Sequence, residues 1–271
     1  MARYATDLGI DDYIVFQDTD DYAFSQDSVF LANMAKLTPS DSVLDLGCGS
    51  GILATLALVK KHVKKAVGIE LQSRVADMAR DSVLQNGLQD KFEVICADVK
   101  DIRSVIKAES FDKVLCNPPY FANARTTQNN FAICAQNDNS SGGDNSPALP
   151  NGDTQSTDSI CGKPRIDKNV SRTESTATLD DFVKGAAYSL RFGGDLWIVV
   201  KADRLASLVY SLKSCNLEPK EATLVYPKPT SDADIVIVKA RKGGKEGLTI
   251  SSFYVLDDKG EYTDKYKEMY V

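Results

Sequence analysis

The fold is decided by a short stretch early in the chain, Asp45-Leu46-Gly47-Cys48-Gly49-Ser50-Gly51. The mostly apolar residues 42–46 predict a short strand, and the run from Ile52 to about Lys61 predicts a helix that is apolar on most sides. Glycines between a strand and a helix permit positive φ angles and let a ligand approach the backbone. The stretch therefore predicts the first strand-turn-helix unit of a parallel α/β sheet.

Strand and helix signals alternate along the rest of the chain, as is typical of parallel strands joined by helical crossovers. Further strands are predicted at residues 66–69, 92–96, 111–116 and 196–200, with a closing antiparallel pair at 222–226 and 235–238. Helices are predicted from an N-cap at Ser73 to Asn86-Gly87, from Thr178 to Gly193-Gly194, and over 204–215. We predict one doubly wound α/β domain over residues 1–271.

A polar segment interrupts this alternation between residues 123 and 176. Asn, Ser, Asp, Gly, Thr, Pro and Gln dominate it, and no apolar period survives. Such a composition buries too little apolar surface to offset the entropy of ordering the chain. It predicts a flexible insertion within the domain.

The composition excludes several classes of protein. No apolar run approaches the roughly eighteen residues that cross a bilayer, and the N-terminus does not resemble a secretory signal, so we expect a cytoplasmic protein without a membrane partner. Six scattered cysteines without a Cys-x-x-Cys pair and a single histidine, His62, predict no metal site and no histidine-based triad. A net charge of -6 means that any nucleic-acid site must be a local basic patch.

The spacing of the glycine turn indicates which ligand it would bind. Its pattern is Gly-x-Gly-x-Gly, whereas a dinucleotide fingerprint would need its third glycine at the position of Ile52. Asp45 before the turn would repel a pyrophosphate but suits S-adenosylmethionine, which carries an ammonium and a sulfonium and no phosphate. The candidate cofactor-binding residues here are Asp45, Gly47, Cys48, Gly49 and Gly51. A tight turn without a ligand is the alternative.

Two acidic residues follow successive predicted strands. Glu70, followed by Leu71, ends the second strand, where a carboxylate can accept both hydrogen bonds from a ribose diol. Asp98, followed by Val99, ends the third strand, within reach of an adenine amino group. Ligands of open α/β sheets bind at the carboxyl ends of strands, so these four residues join the candidate cofactor site, with solvated strand ends as the alternative.

The fourth predicted strand leads directly into Asn117-Pro118-Pro119-Tyr120. Prolines remove backbone donors and fix φ, which leaves rigid carbonyls that only accept hydrogen bonds. The Asn117 side-chain oxygen and the Pro118 carbonyl can together accept both hydrogens of a planar amine and localise its lone pair for attack on a methyl group. Tyr120 can stack on an extruded base, and the alternative is a Pro-Pro strand stop without chemistry.

Together these motifs resemble class I amino-methyltransferases, and more closely the bacterial tRNA adenine-N6 methyltransferases that modify position 37 of a valine tRNA. The resemblance covers about residues 14–120 and 170–271 and is carried also by three segments outside the core motifs: 24–32, 171–181 and the tail from Tyr226. It implies a Rossmann-like seven-stranded mixed sheet of order 3-2-1-4-5-7-6 with an antiparallel last strand. It also implies that segment 24–32 lies over the cofactor and that an adenine in an anticodon loop is the acceptor.

The tail also carries a group of basic residues beside glycines, which predicts phosphate contacts. With Tyr120 and Phe121, the candidate substrate-binding residues are Lys228, Lys239, Arg241, Lys242 and Lys245. A solvated surface hairpin is the alternative.

Several other functions remain open on the sequence. A glutamine amide in a release factor and an adenine in DNA present the same amino group to Asn117. A cofactor- or RNA-binding module without catalysis and a NAD-linked oxidoreductase belong to different classes.

Overall fold

The computed structural model describes residues 3–18, 24–119 and 177–270. Tyr120, Phe121 and the polar segment 123–176 lie outside the described residues, so the predicted insertion stays a prediction.

The described chain folds into strands and helices that alternate over most of its length. The strands are β1 (Arg3–Asp7), β2 (Ile14–Asp18), β3 (Ser42–Leu46), β4 (Lys65–Glu70), β5 (Phe92–Cys96), β6 (Phe111–Cys116), β7 (Leu190–Lys201), β8 (Leu217–Tyr226), β9 (Ile235–Lys242) and β10 (Thr249–Tyr254). The helices are α1 (Gln26–Met34), α2 (Ile52–Val59), α3 (Ser73–Gln85), α4 (Ile102–Val105), α5 (Leu179–Ser189), α6 (Leu205–Ser214) and α7 (Asp264–Lys267).

Eight of the strands form one mixed sheet in the spatial order β10-β8-β9-β7-β6-β3-β4-β5. β9 runs antiparallel to both of its neighbours, and the other pairings in this sheet are parallel. The predicted Rossmann-like α/β class is confirmed. The predicted count of seven strands is wrong, because β10 adds an eighth strand at the edge beside β8, and most of its side chains are exposed.

Helices cover both faces of the sheet, and alternate residues of each strand point to opposite faces. In β3, Val43 belongs to the apolar layer beneath α1, α2 and α3, whereas Leu44 and Leu46 belong to the layer beneath α4, α5 and α6. β3 is buried on both faces, and three of its five residues, Val43, Leu44 and Leu46, are apolar. Asp45, which precedes the glycine turn, is therefore buried within the sheet.

The predicted end of the helix that begins after Thr178 is wrong. α5 ends at Ser189, and β7 then runs through Gly193 and Gly194, where the pairing register with β6 shifts. Gly193 has a φ of 78°, and a Cβ on Gly194 would lie 2.9 Å from the carbonyl oxygen of Asp112. These glycines permit an irregularity in the strand and a close approach of two backbones, instead of stopping a helix.

The N-terminal hairpin and the C-terminal end of the chain hold α1 in place. β1 and β2 pair antiparallel, and the Phe24 amide donates to Oε1 of Gln17 at 2.8 Å. Phe30 on α1 packs edge-on against Phe253 and Tyr266 at centroid distances of 5.7 and 6.0 Å. The segment before the glycine turn is therefore fixed from two sides.

Within the described ranges, no helix has the length and apolar character that crossing a bilayer requires.

The start of α5 offers a test of the fold. Thr178 accepts a hydrogen bond from the Asp181 amide, and the Asp181 carboxylate accepts one from the Thr178 amide, which completes a capping box. We expect Thr178→Ala to lower the free energy of unfolding in urea by about 1 kcal/mol. Ser73→Ala is the control, because Ser73 is the first residue of α3 and the N-cap is Gln72, contrary to the sequence prediction. An equal loss in both variants would contradict the capping assignment.

Candidate functional site

The candidate cofactor residues and the acceptor motif meet at one edge of the sheet, where the parallel strands end. Leu46 pairs with Ile69 on β4 and with Cys116 on β6. The glycine turn, Glu70 and Asn117 therefore leave three neighbouring strands side by side, and Asp98 follows the end of β5 beyond them. We call this the carboxyl edge.

The three glycines of the turn are required by its own geometry. Gly47, Gly49 and Gly51 have φ angles of 74°, 55° and 84°. A Cβ on Gly47 would lie 3.2 Å from the Phe182 ring, and one on Gly51 would lie 3.1 Å from the Phe92 ring. Strand-to-helix packing thus explains the glycine pattern by itself. The groups around the turn, and not its glycines, indicate whether a ligand can bind.

The backbone amides of the turn donate to groups of the chain itself. The Gly47 and Cys48 amides both donate to the Ile69 carbonyl at 2.9 Å, and the Gly51 amide donates to the Cys48 carbonyl at 2.8 Å. The Gly49 amide donates to Oε2 of Glu70 at 3.0 Å. A phosphate-binding turn presents its amides to the ligand. These four amides are already engaged, which disfavours a dinucleotide.

Asp45 is a carboxyl group buried beneath the turn. It has no exposed surface; its Oδ2 accepts from the Ala54 amide at 3.2 Å, and its Oδ1 has no partner among the described residues. Burial is the main cause that raises the pKa of Asp45 from 3.8 to about 8, and the neighbouring Glu70 raises it further. A cation bound nearby would favour the ionised form and lower this pKa.

Glu70 is held in a fixed orientation by the backbone. Its side chain accepts from the Gly49 amide through Oε2 and from the Gln72 amide through Oε1, the latter at 2.9 Å. Burial raises the pKa of Glu70. Each carboxylate oxygen can accept a second hydrogen bond, so the group can still receive a diol. Leu71 beside it exposes 38% of its surface, which leaves an apolar side chain free to cover a ring.

A short 3-10 helix, Val99–Asp101, follows β5, and Asp98 is its N-cap. Oδ1 of Asp98 accepts from the Lys100 amide at 2.9 Å, and its Oδ2 lies 3.2 Å from Nζ of Lys100. Val99 is buried. Asp98 therefore already makes a cap hydrogen bond and an ion pair, both with Lys100.

Asn117 leaves the end of β6 with its side-chain nitrogen engaged. Nδ2 donates to the hydroxyl of Ser25 at 3.1 Å and to the hydroxyl of Ser28 at 2.8 Å. Pro118 is buried and Pro119 is exposed. Ser25 and Ser28 belong to none of the sequence motifs. Their one signal was their place in the segment 24–32, which family resemblance puts over the cofactor.

The structure does not bring the five basic residues of the tail together. β9 runs from Ile235, opposite the ends of β7 and β8, to Lys242, opposite the start of β8. Seven residue steps of ~3.3 Å put Lys242 more than about 20 Å along the strand from the carboxyl edge. Lys245 follows Lys242, whereas Lys228 is exposed just after β8, at the carboxyl edge. The prediction of a single basic patch is wrong, because antiparallel β9 carries Lys242 away from the carboxyl edge, where Lys228 lies.

Three of these basic residues are also engaged by acids. Lys239 pairs with Glu221 at 3.1 Å and keeps only 13% of its side chain exposed. The Arg241 guanidinium contacts Asp195 at 2.8 and 3.2 Å. Lys242 pairs with Glu109 at 3.0 Å and donates to the Leu190 carbonyl at 2.8 Å. Acids of the chain itself therefore balance the charges of Lys239, Arg241 and Lys242.

A metal centre is not formed by the part of the chain that the structure describes, since no three His, Cys, Asp or Glu side chains are grouped to hold an ion there.

The raised pKa of Asp45 predicts a pH dependence of stability. Between pH 4 and 8 the folded protein keeps a proton on Asp45 that the unfolded chain releases, so the free energy of unfolding falls as pH rises. Asp45→Asn removes this linkage. The stability of the variant relative to wild type should therefore rise by about 1 kcal/mol per pH unit between pH 5 and 7, in urea titrations.

Asp12→Asn, which removes an exposed carboxylate, is the control for the loss of an acidic side chain. A difference between Asp45→Asn and wild type that stays constant from pH 5 to 8 would contradict the assignment.

Comparison with known proteins agrees with this geometry. A family model described as the methyltransferase small domain matches residues 22–144. A tRNA1(Val) (adenine(37)-N6)-methyltransferase of Shewanella halifaxensis is 34% identical over 99 residues, which are 36% of this chain and 40% of the relative. One of the same name from Bacteroides fragilis is 22% identical over 204 residues, 75% of this chain and 70% of the relative.

The chain spans about two fifths of the length of the first relatives it matches, such as those from Shewanella halifaxensis and Aliivibrio salmonicida. Among solved structures, a predicted O-methyltransferase from Agrobacterium tumefaciens superposes with a TM-score of 0.62 at 19% identity, covering 90% of this chain and 95% of the other. TrmN from Thermus thermophilus gives a TM-score of 0.50 at 18% identity, covering 79% of this chain and 48% of the other. At these identities the likeness establishes the fold.

Residues 22–144, which match the methyltransferase small-domain model, contain the glycine turn, Glu70, Asp98 and Asn117.

Proposed function

We propose that this chain transfers a methyl group from S-adenosylmethionine to the exocyclic N6 of an adenine in tRNA, at position 37 of a valine tRNA. The observation that carries the proposal is the orientation of Asn117. Its amide nitrogen is turned toward Ser25 and Ser28, which leaves Oδ1 as an acceptor at the carboxyl edge, beside the glycine turn.

The chemistry of the residues around the turn fits S-adenosylmethionine. Asp45 offers a buried carboxyl oxygen that has no partner among the described residues, and Glu70 offers an oriented carboxylate. Both suit a ligand that carries positive charge and a ribose diol. The engaged amides of the turn suit a ligand without phosphate. The cofactor residues that we propose are Asp45, Gly47, Cys48, Gly49, Gly51, Glu70, Leu71, Asp98, Val99 and Asn117.

S-adenosylmethionine supplies a methyl group bonded to a sulfonium, which departs as a neutral thioether. The chain's own residues prepare the nitrogen that receives it. Accepting both N–H groups, on Oδ1 of Asn117 and on the Pro118 carbonyl, draws the amine toward tetrahedral geometry and localises its lone pair. The nitrogen then loses one proton to solvent, so no base of high pKa is required.

The relatives' names support tRNA as the substrate, and the position of Lys228 is compatible with it. Tyr120 and Phe121, which lie outside the described residues, are proposed to stack on the extruded adenine. Lys228 is exposed at the carboxyl edge and is the tail residue that we retain for phosphate contact. Lys239, Arg241, Lys242 and Lys245 are not retained, because three are paired with acids and the last lies beyond the opposite edge. We propose a cytoplasmic location, because the proposed substrate is a tRNA.

The proposal is tested by incubating the protein with methyl-labelled S-adenosylmethionine and separate pools of tRNA, DNA and release factor. We expect label in tRNA as N6-methyladenosine. Asn117→Ala should lower kcat by about a hundredfold or more, because it removes one acceptor of the amine, while the affinity for S-adenosylhomocysteine stays within a few-fold.

Asn33→Ala is the matched control, since it removes an equal amide near the far end of α1 and should retain turnover. Label found solely in DNA or in protein would reassign the substrate. Full turnover by Asn117→Ala would show that Asn117 does not hold the amine.

A further inference from the structure

The two ends of the Asn117 side chain have opposite hydrogen-bonding chemistry. Oδ1 accepts hydrogen bonds, whereas Nδ2 donates two. Rotation of the amide by half a turn would exchange these ends and present N–H groups to the N–H groups of an incoming amine. An asparagine that receives an amine must therefore be held in one of its two orientations.

Two hydroxyls hold Asn117 in the accepting orientation. Nδ2 has two hydrogens, and it lies 3.1 Å from Oγ of Ser25 and 2.8 Å from Oγ of Ser28. One hydrogen can go to each hydroxyl, so both donors of the amide are used on the same side. Oδ1 then points away from this pair of serines.

Ser25 does not act as the cap that its position in the fold would suggest. It occupies the N-cap of α1 with extended backbone angles, φ -89° and ψ 157°, yet its side chain makes no cap hydrogen bond. A serine at this position usually accepts from an amide of the first turn, which is worth about 1 kcal/mol. Here the Ser28 amide donates to the Ser25 carbonyl, and the Ser25 hydroxyl lies against Asn117.

Ser28 is placed three residues later, on the same face of α1 as Ser25. It is only 5% exposed, so its hydroxyl is shielded from bulk water and would be costly to leave without a partner. α1 itself is fixed, because Phe30 packs on Phe253 and Tyr266, and Nε2 of Gln26 donates to the Tyr266 hydroxyl at 2.6 Å. The two hydroxyls therefore form a rigid support for the amide.

We propose that Ser25 and Ser28 are positioning residues for methyl transfer, which hold Asn117 with Oδ1 toward the acceptor amine. This proposal rests on the proposed function of the same site. The serines contact Asn117 and act on the reaction through it. The segment that contains them thus supports Asn117 although it lies more than eighty residues earlier in the sequence.

The proposal predicts a loss of turnover without a loss of cofactor binding. Ser25→Ala with Ser28→Ala frees the amide to rotate, so kcat should fall on the order of tenfold, while the affinity for S-adenosylhomocysteine should stay within about twofold. Ser25→Thr keeps a hydroxyl at this place, so kcat of this single variant should stay near the wild-type value, in contrast to Ser25→Ala. In an Asn117→Ala background, the two serine changes should cause no further loss.

Two comparisons separate this effect from a structural one. Ser189→Ala is the matched control, because Ser189 is a fully buried serine whose hydroxyl donates to the Gly185 carbonyl in α5. It should leave kcat unchanged. Ser25→Ala alone keeps its fold, since the Ser25 hydroxyl makes no cap bond, and should already show a fall in kcat.

Nuclear magnetic resonance of the Asn117 side-chain amide tests the contact without turnover. Its two proton signals, assigned by their absence in Asn117→Ala, should be protected from exchange in wild type and lose protection in the double serine variant. This result would support the contact between the serines and Asn117 independently of turnover. If the amide behaved as expected but no acceptor pool were labelled, the proposed function would fail and the contact would stand. Unchanged amide signals, or an unchanged kcat in the double variant, would overturn the proposal.

Discussion

The register of the central strand is the constraint on which the rest of the structure depends. β3 pairs in parallel with β4 on one side and β6 on the other, so that Leu46 lies beside Ile69 and Cys116. Because of this register, the loops that follow β3, β4 and β6 leave the sheet side by side. A shift of one residue would move Asp45 and the apolar residues of β3 to the opposite faces and would separate Glu70 from the glycine turn. The Gly49 to Glu70 hydrogen bond depends on that alignment.

Two kinds of group meet at this edge, and burial changes what each can do. Asp45 and Glu70 are buried acids, and burial raises the pKa of both. Keeping their charged forms away from water therefore lowers the free energy of unfolding. Asn117 is neutral and therefore acts through the direction of its hydrogen bonds. The acids on β3 and β4 suit a charged cofactor. The amide of Asn117, which follows the neighbouring β6, suits a neutral acceptor.

The features that sequence could predict are local in the chain. A strand, a glycine turn and a helix follow one another, and acids and Asn117 come directly after apolar runs, so their places at the carboxyl edge follow from parallel pairing. Partners far apart in sequence could not be found in this way, as with Ser25 and Asn117. The tail was misjudged because antiparallel β9 carries Lys242 away from the edge, and β10 was missed because most of its residues are exposed.

The central claim is that the carboxyl edge binds S-adenosylmethionine and no dinucleotide. Calorimetric titration of the whole chain with S-adenosylhomocysteine and, separately, with NAD tests it most directly. The engaged amides of the glycine turn and the buried acids Asp45 and Glu70 predict heat of binding for S-adenosylhomocysteine and none for NAD. Binding of NAD without binding of S-adenosylhomocysteine would contradict the account.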